Sequence, residues 1–256
     1  MRGGGRLLSS NHRGFTLAEG ATHRDPAFRL SIEKKGGKGH SQRRFGFTLA
    51  EVLVTLGIIG VVSAMTVPSL IQNYQRQSYV TQLHKVYNEL SQALVRYQTD
   101  KNALNLKEAG LTSQAELNSF FKTYFNVVND CGATQTPCLA SSYKTISGRT
   151  LGNPFGGVSY MTLASGSSFA AFYAGGTSVI FYLYLDINGQ KGPNVAGRDL
   201  FAVYIYNNGL IDDSGNSAPL TSEERETAFN ENCIAGETTW FGCFGKILND
   251  NWEMTY

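Results

Sequence analysis

Four oxygen-bearing side chains follow one another closely in one stretch of the chain, LDINGQKGPNVAGRDLF at Leu185–Phe201. Carboxylate and amide oxygens that are close in sequence suit calcium, a hard cation that takes oxygen ligands. The stretch is not an EF-hand, because its first glycine comes fourth in the loop rather than sixth and no glutamate closes it. The alternative is a hairpin in which an Asn-Gly pair makes the turn. The stretch therefore predicts a calcium site at Asp186, Asn188, Asn194 and Asp199.

A single carboxylate stands at the edge of a long apolar run. Glu51 is followed by Val52–Ile71, which contains no charged residue. As a helix this run would span about 30 Å, the thickness of the hydrocarbon core of a membrane. An ionised carboxylate there is costly unless it finds a partner, and a free α-amino group at the helix start would be a better partner than the helix dipole alone. Pairing with the amine of a neighbouring chain would make Glu51 an assembly residue.

The charge of the chain divides at the same place. Residues 1–46 hold ten Lys/Arg and three Asp/Glu, a net charge of +7, whereas the remainder holds 22 − 10 = 12 basic and 20 − 3 = 17 acidic residues, a net charge of −5. A basic flank before one apolar run predicts a cytoplasmic N-terminus and a globular part outside the inner membrane. The acidic remainder shows no basic stripe, so no nucleic-acid partner is expected.

The four cysteines all follow the apolar run and close two short loops, Cys131 with Cys138 and Cys233 with Cys243. Three pairings are possible, of which this sequential one is the simplest. Disulfides agree with an exported domain. A zinc site is the alternative, although neither spacing is the short gap that zinc modules favour.

Other catalytic chemistry has few candidates. Three of the four histidines lie within residues 1–46, which leaves His84, expected at the surface. A catalytic triad or zinc centre needs a second histidine or a Cys/His pair. The sequence therefore predicts that the protein is not an enzyme and that it has no cofactor other than the predicted calcium.

The remaining pattern predicts an α+β fold. Apolar residues recur three or four apart between Val80 and Tyr97, typical of an amphipathic helix that continues the apolar run. A second helix is expected over Ser113–Val128. Four β-type runs then follow, at residues 158–164, 168–174, 178–186 and 200–211, with connections short enough for an antiparallel sheet. Thr221 and Glu224 predict a capping box. A final short helix with a buried Trp252 is expected in the tail.

The hexapeptide Gly46–Glu51, GFTLAE, joined to the apolar run resembles the processing signal of type IV pilins and type II secretion pseudopilins. Pro68, the twenty-second residue counted from Phe47, supports the resemblance because this family commonly has a proline there. The resemblance implies that a prepilin peptidase cuts between Gly46 and Phe47 and methylates the Phe47 amine. It also implies that Glu51 neutralises the amine of an adjacent subunit in a helical filament.

Three segments are expected from these observations: a leader over 1–46 that processing removes, the transmembrane and assembly half of the helix over 47–72, and an extracytoplasmic pilin-like domain over 73–256. The expected fold is a long N-terminal helix packed on an antiparallel sheet. The expected function is a structural subunit of a type IV pilus or a type II secretion pseudopilus, with like or related pilin subunits as partners. The alternative is a membrane-anchored binding module that does not polymerise.

The hexapeptide GFTLAE also occurs earlier, at Gly14–Glu19, where it is followed by GATHRDPAF. That stretch is too polar to cross a membrane, so the first copy is interpreted as a leader remnant that is lost with residues 1–46.

Overall fold

The computed structural model describes residues 46–151, 159–236 and 239–256, and the first copy of the hexapeptide lies outside them. The chain divides into two units, residues 1–51 and 52–256. Helix α1 runs without interruption from Leu49 to Asp100 and contains Pro68. The prediction that the apolar run and the amphipathic segment form one helix is confirmed.

The second half of α1 buries one face. Its buried residues recur three or four positions apart, the spacing that places side chains on one side of a helix; they are Val80, Leu83, Val86, Leu90, Ala93, Leu94 and Tyr97. Complete burial of a leucine contributes about 1.5–3 kcal/mol to folding. This face therefore holds the second half of α1 on the rest of the domain.

The partner of this face is a six-stranded antiparallel sheet in the order β1-β4-β5-β6-β7-β8. Its strands are β1 (Val127–Gly132), β4 (Ser159–Leu163), β5 (Ser168–Tyr173), β6 (Val179–Asp186), β7 (Leu200–Tyr206) and β8 (Ile211–Asp212). Strands β2 (Tyr143–Lys144) and β3 (Thr150–Leu151) form a separate antiparallel pair. The α+β, pilin-like fold with a long N-terminal helix packed on an antiparallel sheet is confirmed.

Alternate residues of the central strands enter two different cores, because successive side chains of a strand point to opposite faces. Phe181, Leu183 and Leu185 of β6 join the core that contains the buried face of α1. Tyr184 of β6 and Tyr204 of β7 join a second, aromatic core on the opposite face. All seven residues of β7 are buried, which explains why this strand reads as a continuous apolar run.

Helix α2 is shorter than predicted. It spans Gln114–Tyr124, with the Ser113 side chain accepting a hydrogen bond from the Glu116 amide at its start. The predicted end at Val128 is wrong, because Val127 pairs with Leu163 of β4 and belongs to β1. The local pattern extends the helix through the β-branched Val127, whereas tertiary pairing places this residue in the sheet.

The C-terminal region contains three short helical segments: α3 (Ser222–Ala228), a π-helical turn (Phe229–Ile234) and α4 (Cys243–Asn249). The predicted capping box of Thr221 and Glu224 is present at the start of α3. Disulfides join Cys131 to Cys138 and Cys233 to Cys243, as predicted. Since these bonds use all four cysteines of the chain, the zinc alternative is wrong.

Candidate functional site

The start of α1 is closed by reciprocal hydrogen bonds between Thr48 and Glu51. The amide and the hydroxyl of Thr48 both donate to Glu51 Oε2, over 2.8 Å and 2.9 Å, and the Glu51 amide donates to Thr48 Oγ1 over 3.2 Å. This is a capping box, which satisfies amides that a helix leaves without partners in its first turn. The carboxylate at the edge of the apolar run therefore stabilises the start of its own helix.

The predicted processing position lies just before this cap. Gly46 and Phe47 precede the first helical residue, Leu49, and the Phe47 side chain is 87% exposed. No described atom lies within 4 Å of a Cβ added at Gly46. Exposed segments outside regular structure are the usual sites of proteolysis. The described geometry thus leaves the peptide bond between Gly46 and Phe47 accessible, and its cleavage stays a prediction.

The first half of α1 is apolar and exposed. Its most apolar 18-residue window has a mean hydropathy of 2.0 and is 0% buried, so by length and composition this helix is able to cross a membrane. The Thr66 and Ser69 hydroxyls donate to backbone carbonyls of their own helix, over 3.0 Å to Val62 and 2.9 Å to Thr66. Hydroxyls that donate hydrogen bonds within their own helix suit a lipid environment, because no water is present there to accept them.

Two carboxylates of the predicted calcium loop are fully buried. Asp186 ends β6 and Asp199 immediately precedes β7, and both side chains are 0% exposed. Asp186 Oδ2 accepts from the Tyr143 hydroxyl over 2.6 Å, and Asp186 Oδ1 accepts from the Asn188 amide over 3.1 Å. The two carboxylate oxygens of Asp199 accept hydrogen bonds from the backbone amides of Asn194 and Val195, each over 2.7 Å.

The electrostatics of this pair favour a cation. Burial raises the pKa of Asp186 to about 7, and the nearby Asp199 carboxylate also raises it. Burial likewise raises the pKa of Asp199. In the described part of the chain no Lys or Arg forms an ion pair with either acid. Two buried carboxylates that repel each other are stabilised by a shared positive charge.

Both predicted amide ligands carry an oxygen without a hydrogen-bond partner. Asn188 Oδ1 and Asn194 Oδ1 are buried and make no hydrogen bond among the described residues. Buried acceptors are normally satisfied, and an exception calls for an explanation such as a bound ion. A carboxylate oxygen has more than one lone pair, so Asp186 and Asp199 retain coordination capacity. The donor set therefore fits a hard cation that takes oxygen ligands.

The set contains only two side chains that carry a negative charge. No group of three or more His, Cys, Asp or Glu side chains is placed to hold a metal in the described ranges. A cation here would depend on the two asparagine oxygens and on backbone carbonyls to complete its coordination, as calcium sites commonly do.

His84 is partly exposed at the surface and also packs against the C-terminal tail. Its ring is half-buried and stacks on Trp252 with ring centroids 4.0 Å apart, and the Tyr87 ring packs on the same indole in a T-shaped arrangement with centroids 5.0 Å apart. Trp252 itself is half-buried rather than fully buried. His84 thus docks the C-terminal tail onto α1.

Two participants were missed from the sequence. The capping box of Thr48 and Glu51 has the same Thr-x-x-Glu signature as Thr221 and Glu224, so its signal was present. Tyr143, the hydroxyl partner of Asp186, lies 43 residues earlier in the chain, and no local pattern connects the two.

These features define a class: a long helix that is apolar in its first half and packed in its second half on an antiparallel sheet, with a processing signal at its start. Residues 41–67 match the family model described as the prokaryotic N-terminal methylation motif, the signature of type IV pilins and pseudopilins. The resemblance read from the sequence is thereby confirmed. The family is structural, and its motif implies processing by a prepilin peptidase and association with a membrane. Comparisons with curated proteins and with solved structures each found no significant match.

Proposed function

We propose that this chain is a structural subunit without enzymatic activity, cleaved after Gly46, methylated on Phe47 and assembled through its N-terminal helix into a type IV pilus or a type II secretion pseudopilus. The observation that carries the proposal is the position of Glu51. It is the one charged residue between Phe47 and Ile71, and it lies in the first turn of an exposed apolar helix beside the processing position.

Cleavage would change the partners available to Glu51. It would create a positively charged amine on Phe47. The next residue, Thr48, forms the helix cap with Glu51. A carboxylate accepts several hydrogen bonds, so Glu51 can keep Thr48 and also accept from the Phe47 amine of a neighbouring subunit. In hydrocarbon an uncompensated charge is costly, and this pairing would favour subunits that stand side by side.

Pro68 is proposed as the second assembly residue. It lies inside α1 with helix on both sides. A proline in a helix interior removes one backbone hydrogen bond and loosens the helix at that point. We propose that this lets the apolar half of α1 adjust its direction when neighbouring helices pack in the filament.

The proposed location follows from charge. The +7 leader keeps the N-terminus cytoplasmic, the 47–72 segment crosses the inner membrane once, and the globular domain over 73–256 lies outside until the subunit enters the filament. The proposed partners are the prepilin peptidase and like or related pilin subunits, with no role for nucleic acid.

Two substitutions at Glu51 test the assembly role. Glu51→Gln keeps an oxygen that can accept from Thr48 but removes the charge, whereas Glu51→Ala removes both. We expect both variants to be cleaved and to remain in the membrane, and both to be lost from the sheared filament fraction. Glu108→Gln, an exposed acid outside the helix, is the matched control and should assemble normally.

Normal assembly of Glu51→Gln would reject charge pairing. If the filaments formed equally well without this chain, and neither Glu51 substitution changed them, the non-polymerising binding module would be favoured. N-terminal sequencing of the membrane form checks the processing step separately, because it should begin at a methylated Phe47.

A second candidate function is calcium binding by Asp186, Asn188, Asn194 and Asp199. The observation that favours it is the pair of buried asparagine oxygens without partners, Asn188 Oδ1 and Asn194 Oδ1. An ion that binds the folded protein at a hundredfold excess over its dissociation constant stabilises it by about 2.7 kcal/mol. Calcium should therefore raise the melting temperature, and a chelator should reverse the rise.

Asn188→Ala removes one proposed ligand and should reduce the calcium-induced shift of the melting temperature. Asn208→Ala is the matched control, because Asn208 also precedes a glycine in a turn and its oxygen already accepts from the Leu210 amide over 3.1 Å. A shift that is absent in the unaltered protein, or that is equal in the two variants, would reject the calcium site.

A further inference from the structure

A cleft lies where α1 leaves its apolar run. It has a volume of about 350 Å³, and the loop between β6 and β7 forms its opposite wall. Five of its lining residues are polar, Arg76, Arg198, Gln72, Gln75 and Tyr79, and the other three are Ile146, Pro193 and Val195. No Asp or Glu is among its described lining residues, and neither arginine forms an ion pair in the described part of the chain. The described lining of the cleft therefore includes two cations and no acid.

One arginine donor in the cleft is unsatisfied. Arg76 Nε is buried and has no hydrogen-bond partner among the described residues. A second cleft on the other side of Arg76 contains Glu253, which lies beyond ion-pair distance of it. Leaving a buried donor without an acceptor costs free energy, so an acceptor supplied from outside would be favoured.

Arg198 adds its charge from the opposite wall. Burial and the Asp199 carboxylate raise the pKa of the Tyr79 hydroxyl, and the positive charge of Arg198 opposes that rise. Arg198 and Tyr79 both line the cleft. The Asp199 carboxylate also acts on Tyr79, but it is buried and does not line the cleft.

The depth of the cleft relative to the apolar run matches the lipid headgroups. Arg76 follows Ile71 by five residues, about 7.5 Å along a helix. The polar region on each side of the hydrocarbon core is about 5–8 Å thick. Tyr74, between the two, is 72% exposed, and tyrosine is enriched at this interface. A helix that crosses the membrane through Val52–Ile71 would hold the cleft at the level of the phosphates.

We propose that this cleft binds the phosphate of an anionic phospholipid. The Arg76 guanidinium would offer Nε–H and a terminal N–H to two phosphate oxygens, a geometry for which arginine is suited, and Arg198 would contact the phosphate from the other wall. The Gln72 and Gln75 amides are available to the polar headgroup. The proposal rests on the proposed function in one respect, the membrane insertion of Val52–Ile71.

The test uses the full-length chain in a non-ionic detergent. Short-chain phosphatidylglycerol, short-chain phosphatidylcholine and inorganic phosphate are each titrated into it, and heat of binding is measured. We expect phosphatidylglycerol to bind at least tenfold more tightly than either of the others. Arg76→Gln and Arg198→Gln should each weaken its binding by tenfold or more. Arg96→Gln, further along the same helix and over the Tyr124 ring at 5.8 Å, should not.

Equal affinity for the two lipids, or equal weakening by all three substitutions, would overturn the proposal. A different result would be that inorganic phosphate binds as tightly as phosphatidylglycerol and depends on the same arginines. That result would overturn the proposal of a lipid ligand and show that the cleft binds free phosphate. The two arginines lie on different elements, so one variant remains informative if the other fails to melt like the unaltered protein. Because the titration uses the dispersed subunit, its failure is independent of the Glu51 assembly test.

Discussion

Glu51 Oε2 accepts hydrogen bonds from both the amide and the hydroxyl of Thr48, over 2.8 Å and 2.9 Å. The one carboxylate at the edge of the apolar run therefore also closes the helix that carries it. An acid that served assembly alone would leave the first turn of α1 with unsatisfied amides. The capping role holds the Glu51 side chain in place at the start of the helix.

Thr48→Val should loosen the start of α1. The substitution keeps the shape of the side chain and removes the oxygen that accepts from the Glu51 amide, and loss of such a cap costs about 0.5–2 kcal/mol. Faster hydrogen exchange at the first amides of the helix, measured in detergent micelles, is the expected result. Thr66→Val is the control, because the Thr66 hydroxyl donates to a carbonyl in mid-helix. Equal exchange in both variants would contradict the capping role.

Tyr143→Phe should destabilise the calcium-free protein by about 1–3 kcal/mol, since it leaves buried polar groups with one partner fewer. The Tyr143 hydroxyl donates to Asp186 Oδ2 over 2.6 Å and accepts from the buried Ala140 amide over 3.1 Å. Urea unfolding with a chelator present measures the change. Tyr74→Phe, at an exposed position, is expected to have little effect. A change at Tyr143 no larger than that of the control would show that this hydroxyl is not required.

Gly197→Ala should be more destabilising than Gly148→Ala. Both glycines have left-handed backbones, with φ of +86° and +89°, so both substitutions incur the same strain of about 1–2 kcal/mol. A Cβ at Gly197 would lie 2.7 Å from Cys243 Sγ and 2.8 Å from Ile146 Cδ1, whereas nothing described lies within 4 Å at Gly148. We expect a further cost of about 1–3 kcal/mol from overpacking at Gly197. Equal melting temperatures would contradict the close approach.

Lys122→Gln should raise the pKa of Asp130. The hydrogen bond from Lys122 Nζ, at 2.7 Å, lowers that pKa, and the Gly132 amide also lowers it. A lowered pKa means that the pair stabilises the fold at neutral pH and that this contribution is lost as the pH falls through the pKa of the folded state. The contribution is at most about 1 kcal/mol, because the pair is largely exposed.

The measurement is an NMR titration of the Asp130 carboxyl group in the two proteins. Lys85→Gln, which removes a lysine paired with Glu89 elsewhere on the surface, should leave the titration unchanged. An unchanged titration in Lys122→Gln would show that the Gly132 amide alone lowers the pKa.

Much of the fold was accessible from local pattern. The spacing from Val80 to Tyr97 predicts the buried face of α1, and the apolar runs predict β4 to β7, because periodicity reports which side of an element meets the core. The local pattern extends α2 through Val127 and Val128, the first two residues of β1, since only the pairing of β1 with β4 makes Val127 a strand residue. The two-residue strands β2 and β3 are too short to leave a pattern in the sequence.

The candidate cation site was predictable only in its residue types. Carboxylates and amides close in sequence point to oxygen ligands. Whether the Asn188 and Asn194 oxygens are satisfied depends on which backbone groups reach them. The folded loop leaves both without partners and brings Tyr143 to Asp186 from the β2 strand.

By itself, the sequence determined the long apolar segment and the methylation motif at its start, because an uncharged run of twenty residues and the hexapeptide before it are properties of neighbouring residues. Only the tertiary structure decided the cleft that joins Arg76 of α1 to Arg198 of the β6–β7 loop. Those residues meet because the buried face of α1 packs on the sheet. The free energy of burying apolar surface depends on the area buried and not on how far apart the residues are in the sequence.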